Sequence, residues 1–214
     1  MVTTSVLIAP IEIPPRPSPE DAGADTRERV LRTAYELFSR HGLTAVGVDR
    51  IVAEARVAKT TLYRHFPSKD ALVVAVLERH LDLWLLGWLR SKISRAGSPQ
   101  ERLLSIFDAF EEWFASPGFE GCLLINSLAE THDRSAVRAA AVRALGQVYV
   151  FLRSIAEEAG LREPAELAHQ LQVLMRGSIV AAVEGRPEAV RSARSAAETL
   201  VRVSRESERP EAPH

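Results

Sequence analysis

The chain has little of several things. Cys122 is its one cysteine in 214 residues, so it can close no internal disulfide and build no cysteine metal cluster. A lone thiol of this kind reads as core filling. Lysine is nearly as rare: of 27 basic residues, only Lys59, Lys69 and Lys92 are lysines. No apolar run approaches the roughly 18 residues that a bilayer crossing needs. The N-terminal stretch MVTTSVLIAPIEIPP holds no basic residue and only a short apolar run, unlike a signal peptide. These absences predict a cytoplasmic chain with no membrane partner. Enzyme signatures are missing too: there is no nucleophile elbow, phosphate-binding loop or HExxH pair. Glu130-x-His132-Asp133 brings acid and imidazole together, but residues two apart share no helix face, and the segment reads as a loop. Neither metal nor cofactor is expected, and a helical enzyme is a weak reading.

What is present is helical periodicity without any credible strand, so the expected fold is all-α. Residues 1–24 hold five of the twelve prolines and no periodicity, and read as a disordered arm. Helix 1 starts at the capping-box pattern Asp25-Thr26-Arg27-Glu28 and ends at Gly42, with Val30, Leu31, Ala34, Leu37 and Phe38 as its apolar stripe. Short helices follow at about Val48–Ala55 and Lys59–His65. A longer one runs from about Ser68 to Arg90, burying Leu72, Ala75, Val76, Leu83 and Leu86. Ser98, Pro99 and Glu101 open the next as N-cap, N1 and N3, and it stops at Ser116-Pro117-Gly118. Further helices are expected at about Cys122–Glu130, Arg134–Ala159 and Pro164–Glu184. The ninth and last ends near Ser204. The domain reading is an arm at 1–24, a helix-turn-helix domain at 25–67, a helical domain at 68–204 and a disordered tail at 205–214.

The stretch VDRIVAEARVAKTTLYRHF, Val48–Phe66, organises the rest. Its second helix is too short to stand alone, so Leu62 and Phe66 must pack on helices 1 and 2. Lys59, Thr60, Thr61, Tyr63, Arg64 and His65 then remain for a groove face. Lys59 and Arg64 suit guanine edges, and threonine suits a hydrogen-bonding edge or a thymine methyl. Lys69, in the first turn of the following helix, adds an ammonium to free helix amides, a natural phosphate site. Net charge over the whole chain is −1, but Asp25–His80 carries ten basic residues against seven acidic ones. Phosphate affinity must come from this segment.

GLTAVGVDRIVAEARVAKTTLYRHFPSKDAL resembles the DNA-binding domain of the tetracycline-repressor (TetR) family, well over Thr26–Leu77. Thr61-Leu62-Tyr63-x-x-Phe66-x-x-Lys69-x-x-Leu72 carries the most specific part. Phe119-x-Gly121-Cys122-x-x-Ile125-Asn126 resembles a loop-to-helix segment of one branch. The resemblance implies three DNA-binding helices and six forming a ligand and dimer domain, with Tyr63 on a phosphate. Three positions depart from the family pattern. Gly47 stands where Ser or Thr commonly caps helix 2, Arg56 holds the turn position usually given to glycine, and Ala58 replaces the usual serine cap of helix 3. They put local stability in question, not the fold.

Seven of the thirteen aromatic residues lie between Trp84 and Phe119: Trp84, Trp88, Phe107, Phe110, Trp113, Phe114 and Phe119. Plain core packing accounts for any one of them. Their concentration predicts a wide apolar space that suits a small effector, and the resemblance implies an inducer pocket in that region. Asn126 and Tyr149 are candidates for its polar groups, with Cys122 also lining it. Near the chain end, Leu167, Leu171, Leu174, Ser178 and Ala181 mark one helix face and Val190, Ala193, Ala197, Leu200 and Val201 another. Small residues allow close helix approach, so these faces are expected to join two copies in a four-helix interface. Two recognition helices about 34–36 Å apart can then read a palindrome. The expectation is a homodimeric regulator, a repressor binding a double-stranded DNA operator and released by a small apolar or aromatic effector. The rival is a helical ligand-binding or adaptor protein that no longer engages DNA.

Overall fold

A computed structural model describes residues 26–131 and 135–206. The expected arm at 1–24, the tail beyond 206 and His132–Asp133 lie outside the described residues. Among the described residues the chain is helical throughout and forms no strand. The helices are α1 (Thr26–His41), α2 (Val48–Ala55), α3 (Lys59–His65), α4 (Lys69–Leu81), a π-helical segment π1 (Asp82–Leu89) and α5 (Arg90–Ile93). They continue as α6 (Pro99–Phe114), α7 (Leu123–Glu130), α8 (Ala136–Glu158), α9 (Pro164–Val183) and α10 (Ala189–Glu206).

Boundaries fall where local chemistry puts them. α1 stops at Gly42, whose φ of +79° is costly for any residue with a Cβ. At the start of α6 the Ser98 hydroxyl accepts from the Glu101 amide at 3.2 Å, and the Glu101 carboxylate accepts from the Ser98 amide at 3.1 Å. Arg56 takes the left-handed turn position after α2 with φ 53°, as its place in the sequence requires. Gly47 and Ala58 provide extended N-caps without a side-chain hydrogen bond.

The expected helix from Ser68 to Arg90 differs from what forms. It is α4, then π1, then one turn of α5, and Leu86, expected inside, is 50% exposed. The run DLWLLGWL is apolar on nearly every face, so no stripe marks which residues turn inward. Periodicity therefore cannot register the wider π turn.

Two compact units emerge. The first joins the described part of Pro14–Leu85 to Glu120–Gly146, and the second joins Leu86–Phe119 to the described part of Gln147–His214. The sequence boundary at residue 67 does not coincide with this division, because α1 packs on α4 and α4 on α7. In the first unit Val30, Phe38, Ile51, Leu62, Leu72 and Leu77 are fully enclosed; in the second, Leu103, Ile106, Phe107, Phe110 and Leu152 are. Within the second unit α10 lies along α6, with Arg191 paired to Glu111 at 2.7 Å and Arg194 to Asp108 at 2.6 Å. These pairs are exposed and orient more than they stabilise.

Candidate nucleic-acid interface

α3 is anchored from behind. Leu62 and Phe66 are buried, and the Arg27 guanidinium covers the Phe66 ring at 5.2 Å. Arg29 of α1 donates to the Ala55 carbonyl at 3.0 Å, tying α1 to the end of α2. With its inner face fixed, α3 presents Lys59, Thr60, Tyr63 and Arg64 to solvent, while Thr61 and His65 are half-buried. Tyr63 is an exposed aromatic, 41% accessible. Such a surface of donors around a ring is what a groove and its phosphates accept.

Two of the expected contacts have partners within the domain. The Lys59 ammonium lies 2.7 Å from the Asp49 carboxylate of α2. That hydrogen bond and charge raise the lysine pKa. Lys69 donates to the Leu43 carbonyl at 2.6 Å and sits 6.0 Å from the centre of the Phe38 ring. The same turn is held from another side. The Glu130 carboxylate, at the end of α7, accepts from the Thr44 amide at 2.8 Å. It also lies so close to Gly42 that an added Cβ would fall 2.9 Å from a carboxylate oxygen. In the sequence Glu130 reads only as the end of a helix running into a loop, and Asp49 is not singled out. Asp49 carried a faint signal, being opposite in charge across a short turn. Glu130 carried none, since 86 residues separate it from Thr44.

The comparisons decide the family. Residues 30–76 match the model of bacterial regulatory proteins of the tetR family, and residues 99–197 match the tetracyclin repressor-like C-terminal domain. The chain belongs to the TetR family. The matching models and relatives are transcriptional regulators, not enzymes. The TetR-family repressor NemR of Escherichia coli is 33% identical over 112 residues, covering 52% of this chain and 56% of that protein. The activator FasR of Mycolicibacterium smegmatis is 37% identical over 86 residues, covering 40% of this chain and 39% of its own. The chain thus spans about half, or less, of the length of these curated relatives. A TetR-family transcriptional regulator from Streptomyces coelicolor superposes with a TM-score of 0.76 at 26% identity, over 85% of this chain and 96% of that one.

The TetR-family effector candidates divide between the two units. Trp84 and Cys122 are buried and Asn126 half-buried in the first unit, where the Asn126 amide donates to the Glu120 carbonyl at 3.4 Å. In the second unit the rings do gather. Trp113 meets Phe119 edge-on at 5.1 Å, Phe114 meets Phe119 at 4.9 Å, and Phe110 and Trp88 approach Trp113 at 5.5 and 5.9 Å. Phe107 is enclosed in the same unit. Tyr149 stacks on His169 at 4.3 Å, so that face of its ring is already covered.

The residues expected to join two copies are placed differently. Leu167, Leu171, Ser178, Val190, Ala193, Ala197 and Val201 are buried within the single chain, and Leu174, Ala181 and Leu200 are half-buried. Their small side chains let α9 and α10 pack on one another, so the stripes close that seam within one copy. The apolar residues left outside include Val173, Val180 and Val183 on α9 and Ala196 and Val203 on α10. No helix among the described residues is long and apolar enough to cross a membrane.

Proposed function

We propose that the protein is a homodimeric transcriptional repressor, working in the cytoplasm, that holds a palindromic operator through α3 and releases it to a small effector. The observation that carries this reading is α3 itself, with Leu62 enclosed and Lys59, Thr60, Tyr63 and Arg64 outward. Lys59 and Arg64 read base edges, Thr60 and Thr61 supply smaller contacts, and Tyr63 and His65 meet the backbone. Lys69 still has two N–H donors beyond the one given to Leu43, and these serve a phosphate while the lysine stays anchored. The dimer face is the outer stripe of Val173, Val180 and Val183 on α9, with Ala196 and Val203 on α10. The effector is apolar or aromatic, in keeping with the gathered rings. It acts only through its different affinity for the DNA-binding and released conformers.

The test is fluorescence anisotropy with the promoter DNA beside the protein's own gene, in a salt series, with a scrambled duplex as control. Selective binding that weakens steeply with salt is expected, and Tyr63→Ala should lower it at least tenfold. Two observations favour the rival reading of a helical binding protein without DNA function: Lys59 is committed to Asp49, and Lys69 to Leu43. Weak binding to every duplex in this assay and in a genome-wide fragment selection would establish the rival.

A further inference from the structure

His80, in the last turn of α4, is 4% exposed. Burial lowers its pKa to about 4, so near neutral pH one ring nitrogen carries a hydrogen and the other accepts. Its Nδ1 lies 3.2 Å from the hydroxyl of Tyr35 on α1. Burial raises the Tyr35 pKa, while a hydrogen bond from Ser39 lowers it. In the tautomer that carries its hydrogen on Nε2, His80 accepts the Tyr35 hydroxyl hydrogen at Nδ1. Nε2 itself meets no partner among the described residues.

Buried donors in folded proteins are met by protein, ordered water or a ligand. Aromatic rings lie beside the imidazole of this one. The Tyr35 and Trp84 rings lie near-parallel to the imidazole, 5.8 Å away at 27° and 6.4 Å away at 15°. Trp84 belongs to π1, and π segments recur at functional sites. Val76, Leu77 and Leu81 are buried along the same helix. Arg79, the cation that acts on Tyr35, is already paired with Glu28 at 2.9 Å. An entering anion would be poorly compensated here, whereas a neutral oxygen acceptor would not be penalised.

We propose that His80 Nε2 is the hydrogen-bond donor of an effector site on α4, which takes a neutral carbonyl-bearing aromatic molecule and completes the chain Ser39–Tyr35–His80. The proposal rests on the effector-responsive reading above and names its ligand class. Because Tyr35 lies on α1, occupancy of Nε2 is felt directly by the helix that supports α2 and α3.

The test uses full-length protein labelled with 15N-histidine and three probes: acetophenone, benzoate and ethylbenzene. Acetophenone should shift the His80 Nε2 resonance and bind at least tenfold tighter than ethylbenzene, with benzoate weakest. His80→Phe keeps a buried ring and should abolish the preference for acetophenone over ethylbenzene. Tyr35→Phe, which frees the tautomer, should weaken it. Equal binding of acetophenone and ethylbenzene, binding without a His80 shift, or no binding of any probe overturns the proposal. So does a water cross-peak at Nε2 that persists with every probe, the signature of a structural water only. A library screen for operator release separates the two levels. Releasing compounds that act equally on His80→Phe sink this site and leave the regulator standing, whereas a screen without any releasing compound removes the effector reading itself.

Discussion

At the residue scale, the groove face carries its own restraint. Asp49 holds Lys59 at 2.7 Å in an exposed pair, so DNA must compete with a carboxylate for that ammonium. Asp49→Asn should raise affinity for any duplex severalfold and steepen its salt dependence by about one counterion. An unchanged salt slope would show that Lys59 never reaches a phosphate or base. His80 makes a second residue-scale prediction, in pH. Its folded pKa of about 4 lies below the unfolded 6.5, so between those values the unfolded chain binds more protons than the folded one. Stability present above pH 6.5 is then lost as pH falls toward 4, by about 3 kcal/mol at the limit. Thermal melts of wild type and His80→Phe from pH 7.5 to 4.5 should diverge over that window, the variant falling less.

At the element scale, the α1–α2 turn is the joint that matters. Lys69 from α4 and Glu130 from α7 both hold its backbone, at Leu43 and Thr44. Gly42→Ala combines a left-handed φ with a close approach to Glu130 and should cost about 1–2 kcal/mol. In a double-mutant cycle, Glu130→Ala should relieve part of that cost, because the Cβ then has room. Strict additivity in chemical denaturation would place Glu130 elsewhere in solution. Much of this level is legible in sequence. Ser98, Pro99 and Glu101 announce α6 because capping is local chemistry, and Arg56 announces its positive φ by holding a turn position. Glu130 is illegible because nothing in its neighbourhood encodes a partner so far away in the chain. The π1 segment is illegible for another reason: a run apolar on every side has no face for periodicity to find.

At the scale of the whole molecule, the dimer face is the prediction most exposed to test. Val173, Val180 and Val183 stand outward on α9, and a charge there should oppose association. Val180→Asp is expected to shift the protein from dimer to monomer in sedimentation velocity and to lower operator affinity at least tenfold, with the fold intact by circular dichroism. An unchanged dimer would move the interface to another surface.

Sequence alone determined the all-helical class, most helix boundaries, the recognition helix with its inner anchors Leu62 and Phe66, and the family resemblance. Each depends on interactions within a few turns of chain, where spacing and residue type suffice. Tertiary structure decided which face of α9 and α10 is inside. Both faces carry small and apolar residues, and only the packing of α9, α10 and α6 on each other selects between them. It also decided that Lys69 has a protein partner in Leu43, that Glu130 holds a distant turn, and that a buried ring nitrogen of His80 meets no partner among the described residues. Those facts depend on long-range juxtaposition, which residue spacing does not encode.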